Sequence, residues 1–296
     1  MNETLKRGIS GAVYIALLIT SILFSTESFI LLFGLFLFIA TYEFCGLIKV
    51  NKIIPLFLTT CFYTCFSLAN YFKLATEKEL SHIFNRTITI DFNPSQVDLV
   101  LLCICLFVSI KCIVFLFDDR IQTLDSFSKY IYLIGYILLP FIFITKISFG
   151  INDYNPKIII GLFILIWTND TFAYLVGKSI GKHKLLERIS PKKTIEGFIG
   201  GVVFAIFAGF LISKLYIQPK PNFSQKSILI WTSIALLVGI IGTTGDLIES
   251  KFKRIAGVKD SGKIMPGHGG ILDRLDSVIF VAPFIYLFYQ ILNYVS

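Results

Sequence analysis

The chain has 296 residues, 55% of them hydrophobic and only 16% charged, with 30 phenylalanines and a formal net charge of +8. A soluble domain carries about a quarter charged residues, so this composition excludes an ordinary soluble protein. It points instead to an all-α polytopic integral membrane protein, and the positive charge suits an anionic membrane surface.

Several stretches approach the ~20 apolar residues that cross a bilayer as one helix. In chain order the expected spans are about 9–24, 28–46, 53–72, 97–117, 130–149, 158–177, 197–217, 228–245 and 277–295, nine in all. Lys6-Arg7 ahead of 9–24 resembles the start of a signal peptide, but the many later spans favour a first membrane helix. Only Ser25 to Glu27 separate the first two spans, so these are two full crossings or one re-entrant hairpin. The chain divides into N-terminal membrane helices over 1–150, about five spans, and a C-terminal catalytic region over 151–296 with polar loops at 178–196 and 246–276.

Loop lysines and arginines decide orientation. Counted on alternate loops they fall eighteen to eight in favour of the N-terminal side, which is therefore expected in the cytoplasm. Two spans separate the two polar loops, so both face the cytoplasm and share any water-soluble substrate. Six cysteines, at 45, 61, 65, 103, 105 and 112, lie in or beside apolar stretches with no CxxC pair. They read as small apolar side chains, with neither disulfides nor structural zinc expected.

Within the sixth span Asp170 stands about two turns from the end, a costly place for an ionisable group and therefore a functional candidate. "GKS" at 177–179 resembles a nucleotide-binding loop, but Phe172 stands where that loop needs a glycine. In "SPKKT", Ser190 is placed to cap a helix and Pro191 to begin it, which puts Lys192 and Lys193 in the first turn. Two lysines beside free backbone N–H groups suit a phosphate; they also fit the usual cationic rim of a membrane protein. Gly197, Gly201, Ala205 and Gly209 then repeat every four residues, a small face for close helix packing or an oligomer contact.

Gly245 to Gly257 reads as an amphipathic helix with Ile248, Phe252 and Ile255 on one face and Asp246, Glu249 and Lys253 on another. Glu249 and Lys253 form an ordinary i, i+4 surface pair on this reading. Glycines at 262, 267, 269 and 270 follow, able to bring backbone N–H groups close to an anion. Asp273 and Asp276 then share a face at the start of the ninth span. Carboxylates among lysines and glycines, without a histidine or cysteine cluster, suit Mg²⁺. His268 is placed either to hold a phosphate, to move a proton, or simply to fill a turn.

The stretch "SKFKRIAGVKDSGKIMPGHGGILDRLDS", Ser250 to Ser277, resembles the signature of the CTP:phosphatidate cytidylyltransferases, the CDP-diacylglycerol synthases. Ser250, Lys253, Arg254, Lys259, Asp260, Pro266, Gly267, His268, Gly269, Gly270, Asp273, Arg274 and Asp276 all meet its fixed positions. "DTFAYLVGKSIGKHKL" and "SPKKTIEGFIGG" are similar to the family's upstream segments. The resemblance covers about 169–277 and implies a helical membrane enzyme, usually a homodimer, that makes CDP-diacylglycerol and pyrophosphate from CTP and phosphatidic acid.

It implies Mg²⁺ held by Asp246 and Asp273, with a monovalent cation such as K⁺ nearby. Lys192, Lys193 and Arg274 are expected to balance the anionic groups. Ser190, Thr194 and Glu196 on the first polar segment, with Asp170, are the expected substrate contacts there. Lys259, His268, Gly269 and Gly270 are those on the second. The implied location is the inner membrane of a bacterium, with the site facing the cytoplasm and no nucleic-acid partner. The alternatives are a CTP-dependent lipid-alcohol kinase or, from a different class, an anion transporter.

Overall fold

The computed structural model describes residues 3–67, 96–118, 124–149, 154–217 and 225–295. Among these, eight helices are long and apolar enough to cross a membrane. They are α1 (Glu3–Phe24), α2 (Thr26–Ile48), α4 (Gln96–Phe117), α5 (Ser126–Ser148), α6 (Pro156–Ile180), α7 (Ile195–Ile217), α8 (Gln225–Ala256) and α9 (Leu272–Val295). A shorter apolar helix, α3 (Ile53–Ser67), occupies the start of the third expected span, whose residues 68–72 lie outside those described. Helices are the form such sequences must take, because hydrocarbon offers no partner for an unpaired backbone N–H or C=O. The protein is an all-α polytopic membrane protein.

Helices α1 and α2 are 22 and 23 residues long, each sufficient to cross. Between them Ser25 adopts extended backbone and exchanges hydrogen bonds with Ser28, so a single residue turns the chain. The polar stretch 246–276 does not form one loop. Residues 246–256 continue α8 without a break, residues 272–276 already belong to α9, and only 257–271, opening on Gly257 at φ 74°, is irregular. An amphipathic helix needs no new nucleation when it extends an apolar one.

"SPKKT" is not a helix start. Ser190–Thr194 is a strand, β2, paired antiparallel with β1 (Lys184–Leu186), and α7 begins only at Ile195. Thr194 supplies the cap instead, its Oγ1 accepting from Gly197 N at 3.1 Å. Pro191 tolerates this because a two-stranded hairpin has only edge strands. Consecutive strand side chains point to opposite faces, so Lys192 and Lys193 part company: Lys192 is exposed while Lys193 turns inward.

An aromatic cluster joins five helices beneath the polar end. Phe252 of α8 packs on Phe44 of α2, Phe115 of α4, and Tyr132 and Tyr136 of α5, with ring centroids 4.9–5.6 Å apart. Tyr136 in turn meets Phe280 of α9. Lys251, buried beside this cluster, donates to the carbonyl of Phe115 and to that of Asp118 at 2.7 Å, satisfying the C-terminal end of α4.

The small face of α7 packs within the chain, against α6 and α8. A Cβ on Gly201 would lie 2.8 Å from the Asn169 carbonyl, and one on Gly209 would lie 2.6 Å from that of Trp231. The face acts as the structural contact expected. Gly201→Leu therefore forces overpacking, with an expected cost of about 1–3 kcal/mol. Thermal unfolding in detergent checks this, with Gly46→Ala as the control. Gly46 is exposed and its added methyl would meet nothing within 4 Å, so that variant should keep the wild-type midpoint.

Candidate active site

A cleft of about 780 Å³ opens where α6 ends, α9 begins and the hairpin folds over them. Its size falls within the range of small-ligand sites. Charged side chains dominate the walls: Asp170 from α6, Lys192 and Lys193 from β2, Asp246 and Lys253 from α8, and Asp273, Arg274 and Asp276 from α9. Segments about a hundred residues apart thus converge on one cavity.

Close helix contact makes this convergence possible. Gly245 rests against α9, where a Cβ would lie 2.5 Å from the Cβ of Phe280 and 3.0 Å from the Asp276 carbonyl. The next residue, Asp246, is thereby carried to Asp276. Ligand oxygens of Asp246, Glu249 and Asp276 all lie within 4.8 Å of one another. Three carboxylates at this spacing form a hard-oxygen donor set, which fits a divalent cation such as Mg²⁺.

Two lysines answer these acids. Lys193 Nζ sits 2.5 Å from Asp246 Oδ2, while Asp246 Oδ1 accepts from Ser250 at 3.3 Å. Lys253 bridges Glu249, one turn before it on α8, and Asp273, 2.6 Å away on α9. The Glu249–Lys253 pair is not the surface feature its spacing suggests. Glu249 is 0% exposed, and its partner is tied to a second helix. Glu249 shares the helix face of Asp246; the sequence shows that face but not that another helix covers it.

Asp273 is held on both oxygens. Oδ1 takes Lys253, and Oδ2 accepts from Ser261 N at 2.8 Å, Ser261 Oγ at 2.8 Å and Gly270 N at 2.7 Å. A further carboxylate, Glu43 of α2, lies behind this loop; the signal that could have found it is the one that marked Asp170, an ionisable side chain inside an expected span. Asp170 opens onto the cleft and accepts from Asn169 Nδ2 at 3.3 Å.

The other expected residues have different places. Thr194 lines the cleft as well as capping α7. Ser190, Glu196, Lys259, His268, Gly269 and Gly270 are not among the residues that line it. Glu196 accepts from the backbone N–H groups of Lys182 and His183 and from the His183 ring, closing the turn into the hairpin. Lys259 is exposed. His268 pairs with Ser10 Oγ of α1 at 2.7 Å, and its carbonyl accepts from Arg274. Partial burial, with Arg274 and Arg7 nearby, pushes the His268 pKa down and favours the neutral ring. Gly269, at φ 86°, turns the chain beside Asp273.

The cytidylyltransferase family model matches residues 5–292. Among curated relatives, the phosphatidate cytidylyltransferase of Bacillus subtilis (strain 168) is 43% identical over 151 residues, 51% of this chain and 54% of that protein. The phosphatidate cytidylyltransferase of Staphylococcus aureus (strain COL) is 50% identical over 123 residues, 41% of this chain and 44% of that protein. The protein of the same name in Staphylococcus epidermidis (strain ATCC 12228) is 46% identical over 127 residues, 43% and 46% of the two chains. The chain thus spans about half the length of the curated relatives it matches.

Lys253 carries a heavy electrostatic burden, because it answers two acids whose side chains are almost wholly buried. Lys253→Met leaves both without their ammonium and should cost about 3–5 kcal/mol of stability, the usual loss when a buried pair is broken. Lys193→Met, at a pair about one-third exposed, should cost far less. Equal losses in detergent thermal unfolding would contradict this ranking.

Proposed function

The chain belongs to the cytidylyltransferase family, and from that premise we propose that it transfers cytidylyl from CTP to phosphatidic acid, forming CDP-diacylglycerol and pyrophosphate. The observation that carries the reading is the cleft itself. Carboxylates from α8 and α9 face lysines from β2 and α8 at the polar end of an apolar helix bundle.

A phosphatidate oxygen attacks the α-phosphorus of CTP. The P–O bond to the β-phosphate breaks, and pyrophosphate leaves with its electrons. The nucleophile belongs to the lipid, so the protein's task is alignment and charge neutralisation. Lys192 on the hairpin and Arg274 at the start of α9 flank the opening and bind the anionic phosphates, while Lys193 holds Asp246 in place. Asp246 would hold Mg²⁺ with Asp276 and Glu249 within reach, and Asp273 would join them by giving up Lys253 at Oδ1. When bound, the ion supplies Lewis-acid neutralisation of phosphate oxygens.

The apolar flanks let acyl chains stay in lipid while CTP enters from water. The charge bias of the loops supports a cytoplasmic N-terminus and site, and the bacterial relatives support a location in the plasma membrane. A homodimer and a nearby K⁺ remain part of the proposal on the family resemblance.

Purified protein in detergent is given phosphatidate, Mg²⁺ and CTP labelled at the α-phosphate. Label should enter a chloroform-soluble product with equimolar pyrophosphate; γ-label in lipid would mean a kinase instead, and no transfer with uptake into liposomes a transporter. Asp246→Asn and Asp273→Asn should each lower turnover at least about 100-fold, the scale of losing one electrostatic contact in the transition state, while both stay folded. Near-wild-type turnover of either at limiting Mg²⁺ would remove that residue from the metal site. For Asp273, a loss of turnover at an unchanged Mg²⁺ requirement would mark it as an organiser of the loop and not a ligand.

A further inference from the structure

Glu43 lies on α2, in the N-terminal half of the chain, yet its carboxylate ends 228 residues away in the signature loop. The residue is 4% exposed. Its Oε1 accepts from Ile271 N at 3.2 Å, and Oε2 accepts from Leu272 N at 2.9 Å and Ser261 Oγ at 3.2 Å. Leu272 opens α9 and Ile271 immediately precedes it, where N–H groups have no intrahelical acceptor and the helix dipole is positive. A buried carboxylate is costly without such donors, so its presence here needs a reason.

Three details give one. The Ser261 hydroxyl stands between Glu43 Oε2 and Asp273 Oδ2, at 3.2 and 2.8 Å; its single proton is shared between the two oxygens, the nearer Asp273 taking the larger part, and so it ties the outer carboxylate to the one facing the cleft. The loop is cut to fit: a Cβ on Gly262 or on Gly270 would run into the Glu43 carboxylate. Neither glycine has a positive φ, so space and not backbone conformation demands them. Two of the glycines that look in the sequence like a substrate cradle therefore admit an anion of the protein itself. Finally, Phe44, the next residue of α2, packs edge-on against Phe252 at 5.1 Å, which fixes α2 to the helix that carries Asp246.

We infer that Glu43 is a positioning residue for the transfer: it caps α9 from outside and, through Ser261, sets the carboxylate of Asp273 opposite α8. The inference rests on the proposed function, and its test separates the two. Glu43→Gln keeps the size of the side chain but replaces one acceptor oxygen with an amide NH₂ that faces a backbone N–H.

In the labelled-CTP assay its kcat should fall about 10- to 100-fold, the usual loss when a group orienting a ligating side chain is changed, with KM for CTP little altered. Ser261→Ala should show the same split, and the double variant should be no slower than the slower single variant. Hydrogen–deuterium exchange should speed up across 268–275 in Glu43→Gln and stay unchanged in α6.

Wild-type kcat in Glu43→Gln, or losses that multiply in the double variant, would overturn the inference while leaving the function intact. A wild-type protein that makes no CDP-lipid would sink the functional reading, and the positioning role of Glu43 in that transfer with it. If Glu43→Gln does not fold, Ser261→Ala, which cuts the relay but leaves the cap, decides by the same kcat and KM readings.

Discussion

A carboxylate buried in a helix bundle demands a compensating partner, and this end of the molecule has several to satisfy at once. Glu249 is fully buried, Glu43 nearly so, and Asp273 retains only 6% of its side-chain exposure. Lys253 lies between Glu249 and Asp273, Lys193 reaches Asp246 from the hairpin, and backbone N–H groups at the start of α9 take Glu43. In a medium of low dielectric these interactions are strong when complete and expensive when broken. They oblige α2, α8, α9 and the β-hairpin to adopt one relative arrangement, which is also the arrangement that concentrates charge in the cleft.

The same constraint links fold to chemistry. Phosphoryl and nucleotidyl transfers need fixed cations around developing negative charge, held where water does not have to reorganise. The aromatic cluster under the site and the glycine contact between α8 and α9 hold Asp246, Glu249 and Asp276 within 4.8 Å of one another. The hairpin adds a lysine from outside the bundle, and its strand geometry sends only one of two consecutive lysines to the acids. The other, Lys192, stays exposed at the mouth.

Much of this was legible in the sequence. Apolar runs of membrane length fixed the fold class, because hydrocarbon leaves the backbone few options. The polar stretches 178–196 and 246–276 pointed to the candidate site, and Asp170, Asp246, Asp273 and Asp276 all line the cleft. What stayed hidden depends on contacts between distant segments. Local rules placed the cap of α7 at Ser190, but pairing with Lys184–Leu186 puts Ser190 in a strand and leaves Thr194 to cap. Glu249 and Lys253 have the spacing of an exposed pair, and only the packing of α9 over them makes them buried. Glu43 stands in an apolar helix with no nearby polar pattern, and its partners lie more than two hundred residues on.

The central claim is that the acids at the α8–α9 contact hold a divalent cation beside the phosphates of CTP. Its most direct measurement is a structure of the protein crystallised with CTP and Mn²⁺ in place of Mg²⁺, with the metal located by its anomalous scattering. A single strong peak is expected within coordination distance of an Asp246 oxygen, close to the about 2.0–2.1 Å of an octahedral Mg²⁺–oxygen bond. The triphosphate should lie between that peak and the hairpin lysines. A metal bound away from Asp246, or CTP bound with its phosphates outside the cleft, would contradict it.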